Sequence, residues 1–127
     1  MSMIYSSQLT LKESNMLKEK IKKKSFTNNT CLEWFGERDR DGYGTLRFMF
    51  RGKRIRVTVH RLHFFLFAGK ESLDANMHVS HLCHNKLCLK LKHLSYEPAR
   101  VNFSRSNCVL NRSCKSHHGY EKCIFFE

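Results

Sequence analysis

Proline occurs once and glycine six times, so the chain is neither collagen-like nor a flexible Pro/Gly-rich linker. Long apolar runs are missing too. The longest, Leu62 to Ala68, is interrupted by His63 and falls far short of the roughly 20 residues that span a bilayer. The N-terminus lacks the charged-then-apolar order of a secretory leader, so the expectation is an intracellular, reducing compartment and no membrane partner. Carboxylates are the third shortage: 11 Asp and Glu face 23 Lys and Arg, a formal charge of +12. That imbalance points to an acidic partner, and for an intracellular globular protein nucleic acid comes first. A nuclear or otherwise DNA-associated location is therefore expected.

What is present is enough for one compact domain over residues 1–127. Four segments divide it: a basic N-terminal helix with its lead-in (1–30), an arginine-rich hairpin and helix (31–69), a central unit (77–106) and a terminal cysteine cluster (107–123). Residues 1 to 9 read as a loose lead-in. Thr10-Leu11-Lys12-Glu13 has the form of a capping box, which predicts a helix from about Leu11 to Lys24 with Leu17 and Ile21 on one face and Met16 beside them. Lysines crowd its end, where cations are favourable in themselves.

After the turn signal Asp41-Gly42-Tyr43-Gly44 the chain alternates with period two. Leu46, Phe48 and Phe50 point one way, and Arg47, Met49 and Arg51 the other. Beyond Gly52-Lys53, Ile55, Val57 and Val59 form an apolar face opposite Arg54, Arg56 and Thr58. The result is a hairpin with an apolar back and an arginine front. Such a ribbon can enter a major groove, where arginine reads guanine edges or grips phosphates. The expected DNA contacts are Arg47, Met49, Arg51, Lys53, Arg54, Arg56 and Arg61, and the expected partner is double-stranded DNA. His60 to Ala68, ended by Gly69, reads as a short helix in which His60 and His63 are structural.

Six cysteines without a secretory leader argue for metal rather than disulfides. Structural zinc takes four Cys or His ligands, delivered in closely spaced groups. Cys83, Cys88 and His93 recur at intervals of five, and Cys31, the only cysteine upstream, completes a first set. Cys108, Cys114, Cys123 and either His117 or His118 make a second. Every cysteine is then used in two Cys3His sites, both filled, so the two expected Zn2+ ions are structural.

His81 and His84 remain spare within Ser80-His81-Leu82-Cys83-His84-Asn85. On a strand His81 shares the face of Cys83, and a neutral imidazole is the side chain best suited to deprotonate water near neutral pH. This hexapeptide, followed by Cys88, His93, Asn102 and the Cys108-Cys114-His117-Cys123 cluster, resembles the His-Cys box homing endonucleases of the ββα-metal (His-Me finger) superfamily. The likeness covers about Cys31 to Cys123, and Val59-His60-Arg61 is also family-like.

The resemblance implies an α+β, zinc-stapled ββα-metal fold with an antiparallel DNA-binding hairpin, short helices and two structural zinc sites, the catalytic unit lying in 77–106. It implies a Mg2+-dependent endonuclease that leaves a 5′-phosphate and a 3′-hydroxyl. His81 would be the general base. Asn102, on a helix from about Glu97 to Arg105, would be the protein ligand to one Mg2+, and Arg54 ahead of Arg56, with Arg47 as a further alternative, would hold the scissile phosphate. His84 would be a supporting residue. Only Ile124-Phe125-Phe126-Glu127 follow Cys123, which argues against a tail-exchange dimer and leaves monomer and other homodimers open. A catalytically inactive zinc-stapled, sequence-specific DNA-binding module, as in Smad-type domains, is the alternative.

Overall fold

The computed structural model describes residues 3–125 apart from 69–71. Its elements run α1 (Leu11–Lys22), β1 (Ser25–Thr27), β2 (Leu32–Trp34), β3 (Thr45–Phe50), β4 (Lys53–Thr58), α2 (Val59–Phe67), β5 (Met77–His81), β6 (Leu94–Pro98) and α3 (Ala99–Asn111), with short 3-10 turns at Met3–Ser6 and Leu91–His93. The strands form three separate antiparallel pairs, β1 with β2, β3 with β4 and β5 with β6. This is a small α+β architecture consistent with a His-Me finger fold. Among the described residues no helix is long and apolar enough to cross a membrane.

The helix α1 starts at the predicted capping box: Thr10 Oγ1 accepts from the Glu13 amide, and Glu13 returns a carboxylate oxygen to the Thr10 amide. Leu17 and Ile21 are buried and Met16 is exposed. The helix ends at Lys22, two residues before the predicted limit, because Ser25–Thr27 already pairs as β1. The lead-in is not loose. Ile4 is fully buried, and Tyr5 packs edge-on against Phe65 while its carbonyl accepts from Leu73.

The hairpin β3–β4 alternates as expected, with Leu46, Phe48, Phe50 and Val57 buried and Arg47, Met49, Arg54 and Arg56 exposed. Its turn is Arg51-Gly52, both at positive φ (49° and 81°), the type I′ geometry that matches strand twist. Arg51 therefore leaves the arginine face on which the alternation had placed it. Its guanidinium turns to helix α1, donating to both Glu13 carboxylate oxygens at 2.9 Å and to the Gln8 carbonyl. With Arg51 and then the Thr10 amide bonded to it, the Glu13 carboxyl is held down at about 2.

The helix α2 is Val59–Phe67, one residue earlier at each end than predicted; Gly69 lies outside the described residues. The helix α3 also differs from expectation. Glu97 belongs to β6, opposite His78, and the helix begins after Pro98, whose φ of −61° suits a helix start and which has no amide to lose there. It then runs to Asn111 rather than ending at Arg105, closing on Arg112 in the left-handed region.

The core gathers α1, the apolar back of the hairpin, α2 and Trp34. The indole is clasped between two glycines: a Cβ added at Gly36 would meet Cζ2 at 2.4 Å, and one at Gly44 would meet Cδ1 at 2.4 Å. Its Nε1 donates to the Glu37 carbonyl. A Cβ has no rotamer of its own, and the ring it would meet is the buried Trp34 indole held by the Glu37 carbonyl, so Gly44→Ala is expected to lose about 1–3 kcal/mol. Urea denaturation checks this, as a lower midpoint at unchanged slope.

Candidate zinc centres and active site

The two predicted ligand sets are assembled. Within each, the four ligand atoms lie within 4.8 Å of one another: Cys31, Cys83, Cys88 and His93 in the first, Cys108, Cys114, His117 and Cys123 in the second. Zn–S bonds of about 2.3 Å and Zn–N bonds of about 2.0–2.1 Å put tetrahedral ligand atoms about 3.8 Å apart for two sulfurs and about 3.6 Å apart for sulfur and nitrogen. In the first set Cys31 Sγ is 3.8 Å from Cys83 Sγ, and His93 Nδ1 is 3.7 Å from Cys31 Sγ and 3.4 Å from Cys88 Sγ. In the second, His117 Nε2 is 3.5 Å from Cys108 Sγ and 3.6 Å from Cys123 Sγ. These edges fit a tetrahedral zinc in both places. The crowded thiols also split their protons: a hydrogen bond from Cys88 pushes Cys83 down to about 5, while the Cys88 thiol is pushed up.

The surroundings prepare each ligand. Asn28 Oδ1 accepts from the Cys31 amide at 2.7 Å, and β2 pairs with the loop around Leu87–Leu89, so Cys31 is brought across 52 residues to meet Cys83. In the second cluster Ser104 gives its hydroxyl proton to the Val101 carbonyl and must accept from His117 Nδ1 at 3.0 Å. That bond places the ring proton on Nδ1 and leaves Nε2 for a metal, the usual supporting arrangement. It also decides between two adjacent candidates: His117 is buried in the cluster and His118 is exposed.

A buried ion pair ties this cluster to the sheet. Arg105 donates to both Glu97 oxygens at 2.7 Å, to the Glu121 carbonyl and, at 3.2 Å, to Cys123 Sγ. Burial pushes the Glu97 carboxyl up, but its hydrogen bonds, that of Arg105 first, together with the Arg105 charge hold it below its ordinary value. Sequence reading missed this pair, since a Glu and an Arg eight residues apart carry no local signal.

His81 ends strand β5, and Asn102 lies on α3, which packs against that strand; both line one cavity of about 630 Å³. The His81 ring is buried and its Nε2 has no hydrogen-bond partner. Burial, then the neighbouring His60, holds its pKa well below that of free histidine, so the ring is neutral. The ring centroids of His60 and His81 are 4.2 Å apart, and Tyr43 stacks on both, at 5.6 and 5.9 Å. His60 thus lines the cavity rather than serving only inside its helix. Its Nε2 donates to the Val79 carbonyl at 2.9 Å, and burial pushes its pKa down to about 4.

Asn102 is tethered through its amide: Nδ2 donates to His78 Nδ1 at 2.9 Å, which leaves Oδ1 outside that bond. Neither His78 nor Tyr43 carried a sequence signal. His84 sits at the cavity rim with φ +63°, stacked on Phe125, where the chain returns as Ile124 bonds the Leu82 carbonyl.

The expected DNA-contact residues divide by position. Arg47, Met49, Lys53, Arg54 and Arg56 lie on exposed hairpin positions, although Arg47 reaches Glu37 at 3.0 Å and Arg56 stands 3.9 Å from it. Arg54 and Arg56 are not among the residues that line the cavity. Arg61 is, with its guanidinium bonded to the carbonyls of Met77 and Asp74.

If the second cluster holds zinc through His117, His117→Ala is expected to reduce the metal content from two ions per chain to one, while His118→Ala retains both. Metal analysis of the purified proteins distinguishes them.

No curated protein matches the chain. The family model described as the zinc-binding loop region of homing endonuclease matches residues 30–125. That span opens one residue before the first assembled ligand, Cys31, and closes two beyond the last, Cys123, so the match and the two clusters describe the same part of the fold. The chain belongs to this homing-endonuclease zinc-binding family.

Proposed function

We propose that the chain is a Mg2+-dependent endonuclease acting on double-stranded DNA, with His81 as general base and Asn102 as the protein ligand to the cation. The observation that carries this reading is that His81, neutral and without a hydrogen-bond partner at Nε2, and Asn102, tethered by its amide nitrogen, line one cavity. A general base must be held within reach of the water it activates, since a misplacement near 1 Å costs on the order of a hundredfold in rate. His81 has that restraint: it pairs opposite Leu94, and the next amide, Leu82, bonds the carbonyl of the zinc ligand His93 at 2.7 Å.

Asn102 offers the hard oxygen that magnesium prefers. A divalent cation bound there would supply positive charge to the phosphate and to the departing oxygen. The protein's own part is positional. The His78 bond orients the amide so that its oxygen remains available, and Tyr43 and His60 hold the plane of the base. Arg54 and Arg56, with Arg47 and Lys53, would grip the duplex beside the cavity, and Arg61 would stiffen its wall. The two structural Zn2+ ions would serve as staples only, since each four-donor set is complete. Monomer and homodimer both remain compatible with this chemistry.

Supercoiled plasmid is expected to be cut by the zinc-loaded protein only when Mg2+ is added. His81→Ala should slow cutting by roughly 10²- to 10⁴-fold, the usual worth of a positioned base, with zinc content unchanged. Wild-type protein that binds the plasmid but leaves it intact across pH, divalent metals and DNA sequences would instead favour a DNA-binding module without catalysis.

A further inference from the structure

Helix α3 separates two cavities of about 630 Å³ each. The catalytic one takes residues 102, 103, 105, 106 and 109 of the helix, and the other takes 100, 101, 104, 107, 108 and 111. At 3.6 residues per turn these sets are opposite faces, so the cavities stand about one helix diameter, roughly 10–12 Å, apart. We propose that the second cavity is a phosphate subsite that holds the DNA backbone on the far side of α3 from the catalytic cavity. The inference rests on the endonuclease reading for the identity of the nucleic acid and for its seat at the first cavity.

Its lining is one-sided in charge. Arg100 and Lys115 contribute to it, and no described lining residue is a carboxylate. Among the described residues the ion pairs involve Arg47, Arg51, Arg56 and Arg105, and neither Arg100 nor Lys115. The hairpin, by contrast, spends Arg51 on Glu13 and shares Glu37 between Arg47 and Arg56. Ser113 and Ser116 add hydroxyls, the donors that phosphate oxygens commonly take from proteins.

The rim is also braced. Lys115 and Ser116 lie between the clustered ligands Cys114 and His117, and Cys108 opens from the helix into the same wall. Duplex DNA carries one charge per about 1.7 Å of axis, so a span of one helix diameter presents roughly six phosphate charges. A duplex seated at the catalytic cavity therefore offers phosphates at the range of the second one. An acidic protein surface has no such regular spacing to satisfy both.

The test measures binding of a fluorescent duplex by anisotropy between 50 and 200 mM salt, in the His81→Ala background without divalent metal, so that it does not depend on cleavage. Each phosphate contact contributes about 0.9 to the slope of log affinity against log salt. Arg100→Gln with Lys115→Gln is expected to reduce that slope by about 1.8 while keeping two zinc ions per chain. Because Lys115 adjoins a metal ligand, Arg100→Gln alone is the second variant, with an expected reduction of about 0.9. An unchanged slope in a zinc-replete variant overturns the subsite and leaves the endonuclease reading standing. A His81→Ala protein that binds no duplex at all overturns both.

Discussion

Everything in this fold depends on gathering six sulfurs and two imidazoles into two four-donor sets. The three strand pairs do not merge into one sheet, and two-stranded ribbons are marginal on their own. The apolar core serves α1, the hairpin and α2, but few of its members come from the segment after Leu89. There the chain is held by ligands. The first set pins Cys31 to the loop between β5 and β6, and the second closes the 108–123 segment upon itself. Coordination links chain segments that hydrophobic burial in so small a unit does not reach.

That constraint explains how the base proposed here, His81, can be held on a short strand of a small protein. His81 is two residues before one ligand, Cys83, and its partner across the ladder, Leu94, directly follows another, His93. Both sides of the ladder end at the same cluster. The second cluster acts on Asn102 in the same way through Arg105, which reaches from α3 to Glu97 on β6 and to Cys123. A buried ion pair adds little net stability when complete, but leaving one partner alone is costly. It therefore disfavours any register of α3 against the strand other than the one that brings Asn102 to the His81 cavity.

The parts legible in the sequence were those with a local period or a closed count. Alternation from Leu46 to Val57 gave the hairpin and its buried face, and Thr10 to Glu13 gave the start of α1. The cysteines identified the clusters because six thiols and two histidines close two tetrahedra with none left over. What escaped was either non-local or decided by a single geometry. Arg51 obeys the alternation in sequence yet occupies a turn, because a two-residue loop needs positive φ at both positions. His117 and His118 are equivalent on paper; Ser104, thirteen residues upstream, separates them. His60, His78 and Tyr43 each look ordinary where they stand, and their role appears only when α2, β5 and the loop before β3 share one cavity.

The helix α3 carries the most consequential of these unreadable features. Its sequence, ARVNFSRSNCVLN, has no clean apolar stripe, and the face it buries is the mixed set Val101, Arg105 and Cys108. One face supplies Asn102 and Arg105 to the His81 cavity, and the other supplies Arg100, Ser104 and Cys108 to the second cavity and its cluster. A helix with polar work on both sides cannot be held in place by burial alone. Its position comes from Cys108 and His117 at one end, the Glu97–Arg105 pair in the middle and the Asn102–His78 bond toward the start. Those fixed points are distributed along the helix, so α3 can act as a rigid spacer. The geometry of the metal clusters is thereby carried to the distance between the two cavities.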